Sequence, residues 1–198
     1  MTSSKTISGL KPEQARLFIA LWPDSAVRRG LADYRDGWRW QGRPARVRDD
    51  KLHVTLHFLG NVACARLPEL RAALAVPCTA FDLVLGRPNL LSRGVAVIEP
   101  LTVPDELLAL HAALKEALRG VGLPVESRPF RPHVTLARHA QQADFPVQAL
   151  KITWRVEGYA LLESRMESGE YRVLERYPAD MAPVHEPRLR TTNTHSIK

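Results

Sequence analysis

One tetrapeptide occurs twice in this chain: His53-Val54-Thr55-Leu56 returns as His133-Val134-Thr135-Leu136. The copies lie 80 residues apart (133 minus 53), in a sequence with no low-complexity stretch to repeat four residues by chance. An internal repeat constrains architecture first, because each copy is expected to occupy an equivalent place. Both copies sit in branched and apolar runs that read as strands, Leu52 to Leu59 and Val134 to Leu136 behind Pro132. Successive strand side chains alternate faces. His53 and Thr55 therefore share one face while Val54 and Leu56 take the other, and the second copy does the same. Two such strands facing one another would make a cleft with two imidazoles and two hydroxyls. A lone His-x-Thr is most simply a surface pair. Its duplication on apolar backing makes it a candidate site.

The rest of the chain supplies two halves for the two strands. Arg16 to Trp22 reads as a buried strand, and Pro23-Asp24-Ser25 as a turn and helix cap. A helix over Ala26 to Tyr34 follows, then a Gly/Pro-interrupted loop from Gly37 to Arg48 that carries Trp38, Trp40 and four arginines. A second helix is expected over Leu67 to Val76. Strands over Phe81–Leu85 and Gly94–Ile98 are expected to join through Pro88-Asn89. Pro104 to Leu118 is the clearest helix, with Leu107, Leu110, Leu114 and Leu118 on one face. Ala149–Leu162 and Tyr171–Tyr177 read as a hairpin-like pair around Glu167-Ser168-Gly169. The fold class expected is α+β, bilobal and pseudo-symmetric, with mostly antiparallel sheets flanking a central cleft. One domain is expected over residues 15–179, between a flexible leader (1–14) and a disordered tail (180–198).

With 198 residues, 45% apolar and 25% charged, the chain is ordinary globular material with ample residues for a core. Lys and Arg number 28 against 21 Asp and Glu, a net charge of +7. Arginine supplies most of it, since Lys occurs only at 5, 11, 51, 115, 151 and 198. The planar guanidinium fork suits phosphate, so a polyanion such as nucleic acid is a fitting partner. Cys64 and Cys78 make no disulfide framework and read as free thiols in a reducing compartment. No apolar run reaches membrane-spanning length, and no membrane association is expected. The protein is expected to be cytoplasmic and monomeric.

Two imidazoles on opposite sides of a phosphorus centre permit general acid–base catalysis. With a pKa near 6.5, one can act as base while the other acts as acid. In-line displacement needs a base on the attacking oxygen and an acid on the leaving one. Thr55 and Thr135 can donate to the non-bridging oxygens, where charge develops. No nucleophilic Ser or Cys motif, Gly-rich phosphate loop or acidic metal cluster appears. Phosphoester hydrolysis without metal or other cofactor is the simplest chemistry.

The stretches 53–60 (HVTLHFLG) and 129–138 (PFRPHVTLAR) resemble the paired motifs of the two-histidine phosphoesterase superfamily. Within it, the RNA 2′,3′-cyclic phosphodiesterase family, also called 2′-5′ RNA ligase, is the most similar. Residues 16–23 (RLFIALWP) resemble that family's opening strand and 171–177 (YRVLERY) its closing one, so the likeness runs from Arg16 to Ala179. The resemblance implies a bilobal fold that opens a 2′,3′-cyclic phosphate on RNA ends, tRNA fragments among them, to a 2′-phosphomonoester. It implies His53 as proton donor and His133 as proton acceptor. Thr55, Thr135 and Arg138 fall on phosphate-binding positions. Strand alternation alone points Arg138 the wrong way, so it reaches the cleft only if its strand ends or bulges. Phe130 and Arg131 are candidates for packing or substrate contact.

His57 is expected on the face of His53 at the cleft rim, and no metal role is expected, because residues i and i+4 of a strand lie about 13 Å apart. His111 is expected on the polar side of its helix, and His139, His185 and His195 are expected to be inert. Trp38 and Trp40 are candidates for packing or for stacking on RNA bases. Two other functions compete. One is a phosphodiesterase for small cyclic nucleotides or 2′-5′ oligonucleotides; the other is a non-catalytic module that binds RNA ends. Reversible 2′-5′ ligation would use the same groups.

Overall fold

The computed structural model describes residues 13–146 and 150–180. The leader expected over 1–14 and the tail expected over 180–198 fall outside the described residues, apart from 13, 14 and 180. Gln14 already belongs to the first strand. Among the described residues nine strands form one hydrogen-bonded sheet: β1 (Gln14–Leu21), β2 (Ala45–Arg46), β3 (Val54–Ala63), β4 (Phe81–Leu91), β5 (Val95–Pro100), β6 (Val134–Arg138), β7 (Ile152–Val156), β8 (Gly158–Arg165) and β9 (Glu170–Pro178). Their spatial order is β7-β4-β5-β6-β3-β1-β8-β9, with β2 beside β6, and every strand pair is antiparallel.

The midpoint of that order is the junction of the two motif strands. β3 and β6 pair at Val54 and Val134, the residues that follow the two histidines. On one side lie β3, β1, β8 and β9; on the other lie β6, β5, β4 and β7. The repeated motif thus sits at the pseudo-twofold centre of two four-stranded lobes, and the α+β bilobal expectation stands.

Helices tie the lobes together. Asp24 caps α1 (Ser25–Asp36), its carboxylate accepting from the Ala26 and Val27 amides at 2.8 Å each. This helix follows β1 yet packs against β7 of the other lobe. Conversely α3 (Asp105–Gly120) follows β5 but packs against β3 and against α2 (Leu67–Ala73). Its apolar stripe, Leu107, Leu110, Leu114 and Leu118, is completely or almost completely buried. Central β1 is covered on both sides. Leu17, Ile19 and Leu21 join the main core, while Phe18 and Ala20 join a smaller cluster with Ala160 and Leu162. No helix among the described residues is long and apolar enough to cross a membrane.

Two expected boundaries move. Pro88-Asn89 is not a turn: β4 runs straight through it, pairing Pro88 with Ile98. Beyond Leu85 this strand has only β5 beside it, and a residue without an N–H is tolerated at such an edge. The chain reverses instead at Ser92–Gly94, where Arg93 and Gly94 take positive φ of 61° and 70°. A Cβ at Gly94 would lie 2.6 Å from the Gln141 side chain, so the turn needs glycine. The strand expected over Ala149–Leu162 begins outside the described residues and breaks at Glu157-Gly158. Gly158, at φ +142°, lets β7 stay in one lobe while β8 enters the other. A Cβ there would collide with the Tyr177 carbonyl oxygen.

Candidate active site

Each motif histidine is fixed in the same way, by a carbonyl two residues upstream. His53 Nδ1 donates to the Lys51 carbonyl at 2.6 Å, and His133 Nδ1 to the Arg131 carbonyl at 2.8 Å. A carbonyl only accepts, so Nδ1 carries the hydrogen in both rings. In the neutral form Nε2 is then the basic nitrogen, and His53 Nε2 lies 3.0 Å from the Thr55 hydroxyl. Extending the Val54–Val134 register by one residue in each direction sets His53 opposite Thr135 and Thr55 opposite His133. The two histidines become diagonal neighbours, a relation that spans about 7–8 Å between strands. That span suits a phosphate group.

Both motif strands bulge at the same residue. On β3, Thr55 pairs with Ala20 and His57 with Ile19, which leaves Leu56 extra. On β6, Thr135 pairs with Val97 and Ala137 with Ala96, which leaves Leu136 extra. A bulge inverts the alternation beyond it. Arg138 consequently lines the cleft, against its strand parity. Phe58, at the matching position of the other strand, is 53% exposed in the same cleft. The same inversion corrects the expectation for His57. It turns from the cleft into the core, 4% exposed, and its Nε2 donates to the His111 carbonyl at 2.9 Å.

His111 is likewise not on a solvated face. It is half-buried and sandwiched, with ring centroids 4.2 Å from His57 and 3.9 Å from Phe130. Burial is the main cause that lowers both pKa values, with nearby Lys115 adding to it; His111 is pushed down to about 4. Unfolded, each imidazole titrates near 6.5. The unfolded chain therefore binds protons first, and stability present above about pH 6.5 is lost as pH falls toward 4. The urea midpoint is expected to drop across that window, and more steeply in the wild type than in His111→Phe, which keeps the stack without titrating. Equal slopes would show that the stack does not set the pH dependence.

The cleft has a volume of about 630 Å³. His53, Thr55, His133, Thr135 and Arg138 all line it, whereas Phe130 and Arg131 do not. Phe130 is held by the His111 stack, and Arg131 pairs with Glu99 at 2.5 Å. Among the described residues five cations line the space (Arg16, Arg46, Arg48, Lys51 and Arg138), and no carboxylate does. Arg46 and Arg48 come from β2 and the segment after it, so the distal part of the Arg-rich loop does reach the site. Trp38 and Trp40 do not; they stack on one another at 5.2 Å, and Trp38 is 3% exposed.

His53 sits in an aromatic cup made by Phe18, Trp22 and Tyr171, with centroids 5.2, 6.0 and 5.6 Å away. Burial there pushes its pKa down to about 4, helped by the neighbouring His133, Arg28 and Arg138; the Lys51 carbonyl pulls the other way. This imidazole is therefore neutral at pH 7. An anion beside it would favour protonation again. Sequence reasoning did not place Phe58, Arg16, Lys51 or Tyr171 at the site. The bulge hides Phe58, and for Lys51 the signal is its carbonyl two residues before the histidine, repeated at Arg131. Among the described residues, no three His, Cys, Asp or Glu side chains gather as metal ligands would.

Residues 22–166 match the family model described as the 2′-5′ RNA ligase superfamily. The chain is 32% identical over 151 residues to an RNA 2′,3′-cyclic phosphodiesterase of Geobacillus stearothermophilus, covering 69% of this chain and 48% of that one. It thus spans about half the length of that relative. An RNA 2′,3′-cyclic phosphodiesterase of Thermus thermophilus is 29% identical over 183 residues, with 82% and 89% of the two chains covered. Among solved structures, E. coli LigT complexed with 3′-AMP superposes with a TM-score of 0.76 at 27% identity, over 84% of this chain and 99% of that one.

Proposed function

Because the chain belongs to the 2′-5′ RNA ligase superfamily, we propose that it hydrolyses 2′,3′-cyclic phosphate ends of RNA to 2′-phosphomonoesters, as a monomer and without metal or nucleotide cofactor. The observation that carries this reading is the pair of imidazoles from one duplicated motif, held identically in one cationic cleft. Similarity to enzymes named RNA 2′,3′-cyclic phosphodiesterase supports the substrate.

Water attacks phosphorus in line with the 3′ oxygen. His133 Nε2 takes a proton from the water as the new P–O bond forms. The bond from phosphorus to O3′ breaks, and protonated His53 gives its proton to that oxygen. The product is a 2′-phosphate beside a free 3′-hydroxyl, with the protons exchanged between the histidines. Arg138 and the hydroxyls of Thr55 and Thr135 hold the non-bridging oxygens. A bound anion raises the pKa of His53 from its low value, which is what a proton donor requires. A ribose 5′-hydroxyl in place of water would give a 2′-5′ linkage by the same step.

The deciding experiment is end-group analysis of an oligoribonucleotide carrying a terminal 2′,3′-cyclic phosphate, incubated in EDTA. A 2′-phosphate end is expected. Activity lost to EDTA and restored by a divalent cation would overturn the metal-free mechanism, and an unopened ring would leave only end binding. Faster opening of a cyclic mononucleotide than of the oligonucleotide would favour a small-molecule substrate.

A further inference from the structure

Among the described residues Glu99 is the one buried carboxylate, and at 6% exposure it is desolvated. The mechanism above does not use it. One carboxylate oxygen accepts from Arg131 Nε at 2.5 Å and the other from the Asn89 side-chain amide at 3.3 Å. Burying a carboxylate is unfavourable unless a cation compensates, so Arg131 is held where Glu99 stands. The Arg131 carbonyl is the one that fixes Nδ1 of His133. Pro132 follows, with its φ restricted by its ring, and Phe130 is locked on the other side by the His111 stack.

The first motif shows the same arrangement with different residues. Buried Arg35 donates at 2.6 Å to both the Val47 carbonyl and the Asp49 carboxylate. Asp49 opens the short 3₁₀ turn Asp49–Lys51, whose last carbonyl fixes Nδ1 of His53. Each orienting carbonyl therefore lies on a segment anchored by a buried charge.

We propose that Glu99 is a positioning residue for His133: by clamping Arg131 it aims the carbonyl that sets the ring's tautomer and direction. This rests on the functional reading above, and its test has a readout that does not depend on turnover. In 15N spectra of the histidine-labelled protein, wild-type His133 is expected wholly as the Nδ1–H tautomer when neutral. Glu99→Met removes the acceptor with little change in volume and is expected to admit the Nε2–H tautomer. Displacing a catalytic group by about 1 Å can cost about 10²-fold, so kcat should fall on the order of 10- to 100-fold while KM stays nearly constant. Glu99→Gln, which still accepts from Arg131, should recover most of the loss. Arg131→Met should match Glu99→Met, and the double variant should be no worse than either. An unchanged His133 tautomer in Glu99→Met, or losses that multiply in the double variant, would overturn the clamp. If Glu99→Met does not fold, Arg131→Met decides alone, by the same tautomer and kcat readouts. A wild type that opens no cyclic phosphate would sink the functional reading and leave the spectral test standing.

Discussion

Alanine at either His53 or His133 is expected to lower kcat by about 10²–10⁴-fold, the usual scale for one positioned acid–base group. The double variant should lose less than the product of the two, because groups that act on one proton-transfer sequence are not additive. Wild-type rate should be bell-shaped in pH, its limbs belonging to the coupled pair rather than to either ring. Burial in the aromatic cup adds a sharper expectation. His53 must be protonated to act as donor, so whatever raises its pKa favours the working form. That pKa is pushed down to about 4 by burial, and a bound phosphate raises it. The active range should therefore reach further to the alkaline side in kcat, which reports the complex, than in kcat/KM, which reports the free enzyme. Coincident limbs would contradict this. If His53 were instead the base, its substitution would remove the acidic limb. A protein that binds cyclic ends without turnover, with histidine variants altering Kd alone, would be a binding module.

Arg138 carries the second large effect. Removing one donor aimed at the charge that develops in the transition state costs about 10²–10³-fold in kcat, and Arg138→Ala should fall in that range. Lysine keeps the charge but not the planar fork, so Arg138→Lys should recover only part. Thr55→Ala and Thr135→Ala should each cost less, since a neutral hydroxyl donates more weakly than a charged group. Measuring kcat and KM for all four on one cyclic-phosphate substrate orders them. An Arg138→Ala enzyme with wild-type kcat would show that the side chain lines the cleft without touching the reacting phosphate.

Arg138 also marks how far the sequence could be read. The duplicated His-Val-Thr-Leu located both histidines, both threonines and the pseudo-symmetry, because strand alternation is a local rule and holds through the first three residues of each copy. It fails at the fourth. A bulge is a relation between a strand and its neighbour, and nothing in the tetrapeptide says that Ala20 and Ile19, or Val97 and Ala96, leave a leucine unmatched. That one event moved His57 inward and brought Phe58 and Arg138 to the cleft. The α3 helix was legible because its leucine spacing and Pro104 are contained in the segment itself. The engagements of Arg131 with Glu99 and of Phe130 with His111 were not, since the partners lie 32 and 19 residues away in sequence (131 minus 99, 130 minus 111). Pro88-Asn89 reads as a turn by composition, yet an edge strand accepts it.

The strand order also has a temporal side. The lobe holding His133 is built from one uninterrupted stretch, β4 to β7, between Phe81 and Val156. The lobe holding His53 is assembled from both ends of that stretch, because β1 and β3 precede it while β8 and β9 follow it. On a growing chain β1 waits for Gly158–Arg165 before its second edge is filled. Phe18 and Ala20 wait equally long for Ala160 and Leu162. The aromatic cup waits longest, since Tyr171 is its last wall to be made. His53 is thus among the earlier residues synthesised and among the last to receive its surroundings, so a half-made chain carries both motifs but not the aromatic cup around the first histidine.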